Sequence, residues 1–148
     1  MHAESVYHEA VSREEYVADY LSNLSHFLGH HYWVFRVVPE YSAEGWAEVH
    51  IEDYNEATVT LSARFWDAPA STKTQVLLHE LLHLSFIRQH EHLQDGVESI
   101  LDWLPAGDKK KAKAQLEIHE KAAERAEEVE VNRLAVLLTE FAPQWDMQ

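Results

Sequence analysis

Cysteine is absent from the chain. Neither a disulfide nor a thiolate metal site is therefore open to it, and any metal must be held by His, Asp or Glu. Basic residues are scarce: 12 Lys and Arg stand against 26 Asp and Glu, for a formal net charge of −14. That balance excludes the cationic face on which nonspecific nucleic-acid binding depends, and it argues equally against an anionic membrane surface. The one dense basic run, KKKAK at Lys109 to Lys113, is followed by acidic residues on the same predicted helix and reads as a solvated helix end. Long apolar runs are missing too. No window approaches 18 apolar residues. The opening MHAESVYHEAVSREEY lacks a basic stretch followed by an apolar one, the mark of a secretory signal. The expectation is a soluble, cytoplasmic protein; one assembled into a virion inside a cell would look the same.

What is present fits one globular domain spanning residues 1–148, with 46% hydrophobic and 26% charged residues. A chain of this length buries about 68–70% of its unfolded surface, enough for one core. Residues 12–28, SREEYVADYLSNLSHFL, read as a helix opened by a Ser12/Glu15 capping box and stopped by Gly29. HYWVFRVV (31–38) is aromatic and β-branched and reads as a strand ended by Pro39. WAEVHIE (46–52) and ATVTLSARF (57–65) both alternate apolar with polar residues, joined by a turn at DYNEA. Three such strands suggest a small, mainly antiparallel sheet. Ser71 is a candidate N-cap for a helix running to about residue 88. DGVESILDWLP (95–105) predicts a separate short helix closed by Pro105, and AGD a loop. From Asp108 to Phe141 neither Gly nor Pro interrupts, which predicts a long C-terminal helix or two abutting ones. The fold class is α+β.

One helix poses a chemical problem. VLLHELLHLSF (76–86) is almost wholly apolar yet carries His79, Glu80 and His83. Burying two imidazoles and a carboxylate is costly unless something compensates. On a helix, residues four apart stack on one face, so His79 and His83 can reach one ion. Glu80 is rotated by about 100° and can meet a water on that ion without ligating it. This is the H-E-x-x-H arrangement of metal hydrolases. In a chain with 11 His and so much Glu, chance alone supplies about 0.1 such matches, so the apolar setting carries much of the argument.

A catalytic zinc usually takes three protein ligands. A histidine six residues after His83 is the less favoured option, because that position is Gln89, with His90 and His92 near but out of register. A glutamate on the long helix remains, from Glu117, Glu120, Glu124, Glu127, Glu128 and Glu130. The apolar stripe Leu138, Ala135, Val131 runs back to Glu128 or Glu127. Asn132 lies one turn after Glu128, a polar residue in an apolar stretch, where an amide can orient a ligand histidine. Glu128 is therefore the favoured third ligand, with Glu127 and Glu124 as alternatives.

With HELLH and EVEVNRLAVLL both placed, the chain resembles the gluzincin zinc metallopeptidases, and most closely their compact ImmA/IrrE-like branch. The likeness covers residues 46 to about 141 in order of elements. It implies a minimal zincin-like fold, Zn2+ held by His79, His83 and Glu128, and Glu80 as catalytic base. It also implies a sheet edge beside the metal where an extended peptide can add as a strand, with residues 57–65 as the candidate edge. Val131 stands where the branch has a small residue, and residues 84–127 form a long insertion between the second and third ligands. No residue is assigned to stabilise an oxyanion; His90, His92 and His119 are candidates that also read as surface histidines.

The leading expectation is a zinc-dependent peptidase of narrow specificity acting on a protein or peptide substrate. The alternative keeps the metal and drops catalysis: a regulatory or structural module, such as phages and mobile elements encode, acting through protein–protein contact.

Overall fold

The computed structural model describes residues 12–30, 33–38 and 45–147, with the side chains of 88–94 left aside. Helix α1 covers Arg13–Phe27. Ser12 caps it, its Oγ accepting from the Glu15 amide at 3.1 Å. Gly29, with φ +87°, sits in the left-handed region past its end, which favours glycine. Strands β1 (Val34–Val38), β2 (Ala47–Asp53) and β3 (Glu56–Leu61) follow. A short helix α2, Ala63–Trp66, then leads into two long helices, α3 (Ala70–Leu101) and α4 (Ala106–Thr139).

The α+β class holds, but the sheet is mixed rather than mainly antiparallel. Its order is β1-β3-β2, with β1 parallel to β3 and β2 antiparallel to it. The last strand inserts between the first two. It is accordingly the most buried, with Ala57, Val59 and Leu61 at 1%, 0% and 1% exposure. Residues 57–61 therefore cannot form the expected free edge, because both flanks of β3 are paired; among the described residues β1 and β2 are the edge strands, and β2 is the one whose start lines the cleft beside His79.

Three helix boundaries also differ from expectation. Residues 70–101 form one helix, not a motif helix and a separate short one. Gly96 is the one glycine in that stretch, and a single interior glycine costs only about 1 kcal/mol against alanine. Ser71 is not the cap: Pro69 precedes the first turn, with φ −61° already suited to a helix start. Pro105 occupies the same position before α4, so the expected AGD loop is that helix's first turn.

One face of the sheet packs on the helices. Val17, Tyr20, Leu21 and Leu24 of α1 meet Phe35, Val59 and Leu61 of the sheet, Phe65 of α2, and Leu77, Leu78, Leu81 and Leu84 of α3. The leucines of α3 hold the motif face in a fixed rotation. Val131 and Ala135, at 0% and 1% exposure, close the α4 side of the same core. The segment after α4 returns over α1. Tyr20 bonds through its hydroxyl to Thr74 Oγ1 and Pro143 O, both at 2.6 Å, and Trp145 packs edge-on against Tyr20 at 5.2 Å.

Candidate metal centre

The buried leucines of α3 turn His79 and His83 toward α4. Their Nε2 atoms lie 3.1 Å apart. Glu128 of α4 reaches both, with Oε1 3.2 Å from His79 Nε2 and Oε2 2.9 Å from His83 Nε2. A tetrahedron with bonds of about 2.05 Å has edges of about 3.3 Å. Two imidazole nitrogens and a carboxylate at these separations fit the donor chemistry of zinc. Among the described residues, His79, His83 and Glu128 form a group whose ligand atoms all lie within 4.8 Å of one another.

Partners stand behind the two histidines. The His83 ring presents Nδ1 to Glu127 Oε2 at 3.3 Å. Asn132 hydrogen-bonds His79 through its side chain. A second contact of this kind fixes an imidazole's tautomer and orientation. Glu127, one of the alternative candidates, is thus placed beside His83 and outside the group formed by His79, His83 and Glu128. Glu124 is exposed on α4 and is not part of the group. The sequence does carry a signal for Glu127: adjacent helical residues are turned only about 100° apart, so a neighbour of Glu128 can stand beside the same pair of imidazoles.

A cleft of about 390 Å³ opens beside this group. Trp46 and Ala47 at the start of β2, Gln75 and Val76 of α3, and Glu80, Glu128 and Asn132 line it. Trp46 and Gln75 were not legible as site residues, because their relevance depends on where β2 meets α3. The Arg64 guanidinium covers the Trp46 ring at 3.9 Å. Glu80 shares the cleft but stands outside the donor triangle. Burial pushes its carboxyl up to about 7, Glu128 and Glu48 add to the rise, and His83 opposes it. Burial and the neighbouring His83 lower the pKa of His79, against the opposing pull of Glu128 and the Asn132 hydrogen bond. A carboxyl tuned to about neutral suits an acid–base role.

His119 is exposed on the distal part of α4. The side chains of His90 and His92 lie outside the described residues. No helix among the described residues is long and apolar enough to cross a membrane. No protein-family profile, curated protein or solved structure matches the chain.

Proposed function

We propose that the protein is a zinc-dependent peptidase of the gluzincin type, with His79, His83 and Glu128 as metal ligands and Glu80 as general base. The observation that carries this reading is the donor triangle with 2.9–3.2 Å sides, opening on a cleft that also holds Glu80. A zinc ion in such a donor set activates water and polarises a carbonyl. Glu80 takes the proton of the attacking water and passes it to the leaving amine. Glu127 keeps the His83 ring turned, and Asn132 does the same for His79. An extended peptide laid along the edge of β2 passes Trp46 and Ala47 as it enters the cleft.

Without a cation the same spacings suit a hydrogen-bonded His–His–Glu cluster in which one imidazole donates. Metal content therefore decides first. Purified protein should carry one equivalent of zinc, and protein without it would remove the reading. Cleavage decides second. Glu80→Gln should retain zinc and lose cleavage of a peptide mixture by at least 100-fold; unchanged cleavage would overturn the role of Glu80.

A second reading, a metal-holding interaction module, draws on the end of α3 and the turn that follows it. There Ile100 and Trp103 are 67% and 89% exposed, as residues that meet a partner would be. Zinc retention by wild type and Glu80→Gln alike, with no cleavage by either, favours this reading.

A further inference from the structure

The edge strand that flanks the cleft has a charge pattern of its own. Glu48, His50 and Glu52 alternate along β2 and are all exposed, on the sheet face turned away from the helices. Alternate residues of a strand stand about 6.6–6.8 Å apart on one face. Across from Glu48 and His50 on that face are Thr60 and Thr58 of the central strand, which are uncharged. Glu52 lies at a bulge between Ile51 and Asp53, and shares its surface with Arg36 and Thr58. Glu48 also approaches His50, 3.6 Å away. On the other flank the cleft wall adds Glu80 and Glu128.

A segment pairing with the edge of β2 sends alternate side chains to the two faces of the extended sheet. One set lies beside Glu48, His50 and Glu52. The other enters the cleft among Trp46, Ala47, Gln75 and Val76. Opposite charges directly across a strand pair stabilise it and like charges destabilise it. We propose that the occupant of this edge is a peptide segment carrying Lys or Arg at alternate positions, with uncharged residues between them. This rests on the placement of substrate at β2 and names its chemical class. It requires neither metal nor turnover to be tested.

Three labelled eight-residue peptides serve as probes, alternating alanine with lysine, glutamine or glutamate. Fluorescence anisotropy with the full-length protein should rank lysine above glutamine above glutamate. The lysine-over-glutamine preference should be roughly two- to thirty-fold from two cross-strand pairs. It should shrink in 0.5 M salt. Glu48→Gln/Glu52→Gln should abolish most of it, while the charge-matched Glu117→Gln/Glu120→Gln on α4 leaves it intact. Equal binding of the lysine and glutamine peptides would overturn the proposal. So would a preference that both double variants reduce alike, which would trace it to net charge rather than to β2. Absence of measurable lysine-peptide binding at millimolar concentration overturns it as well. A zinc-free or non-cleaving protein that still shows the β2-dependent preference would sink the peptidase reading alone.

Discussion

Glu127 and Glu128 are chemically identical neighbours, and the fold gives them different partners. The carboxylate of Glu128 spans both Nε2 atoms, whereas Glu127 touches only the far nitrogen of His83. Competition against a zinc chelator should rank their alanine variants accordingly. Glu128→Ala should lose the most affinity, Glu127→Ala about 10–100-fold as expected for an orienting partner, and Glu124→Ala nothing measurable. A larger loss at Glu127 than at Glu128 would reverse the assignment. Glu80 supports a second prediction through its carboxyl, raised from 4.5 to about 7. Between those values the unfolded chain has released this proton while the folded chain retains it. The folded state then binds more protons, so its contribution to stability falls as pH rises through the window. In chelator-treated protein, Glu80→Gln should therefore gain on wild type by on the order of 2 kcal/mol between pH 4 and pH 8 in urea unfolding. An offset that does not change with pH would contradict the burial argument.

At the scale of elements, α3 binds the account together: the same helix supplies leucines to the core and histidines to the site. Its continuity through residues 89–101 is testable at Gly96. A Cβ there meets nothing within 4 Å. Gly96→Ala should stabilise the protein by about 0.5–1 kcal/mol in equilibrium unfolding, since alanine costs less entropy in a helix interior. Destabilisation would place that position at a break. Much of the local pattern was legible. The Ser12 cap, the alternation of β2 and β3 and the core stripe of α4 follow from short-range rules. What was not legible depended on long-range pairing. Alternation assigns residues to a strand but not to a neighbour, so the insertion of β3 between β1 and β2 was hidden. The edge beside the cleft is consequently β2 and not the expected residues 57–65. Pro105 marks a boundary in the sequence, yet its place just before the first turn of α4 leaves no room for the loop expected after it. The position of Trp46 against α3 depends on both the sheet order and the helix packing, and no local signal marks it.

Across the whole molecule, the α3–α4 hairpin joins two parts of the chain separated by 45 residues, from His83 to Glu128, into one donor set. Metal binding should thus tie the hairpin together and stabilise the fold by linkage. With free zinc at about 100 times the dissociation constant, the gain is about 2.7 kcal/mol, or roughly 5–10 °C in Tm for a protein of this size. Chelation should remove that shift in a thermal melt, and His79→Ala should show no shift to remove. A chelator-insensitive Tm in zinc-loaded wild type would argue that no such linkage exists. The most direct measurement is a crystal structure of the zinc-loaded protein with anomalous data at the zinc edge. A single strong peak is expected about 2.0–2.2 Å from His79 Nε2, His83 Nε2 and a Glu128 oxygen, with Glu127 behind His83. A peak elsewhere, or one completed by Glu127 or Glu124 in place of Glu128, would contradict it.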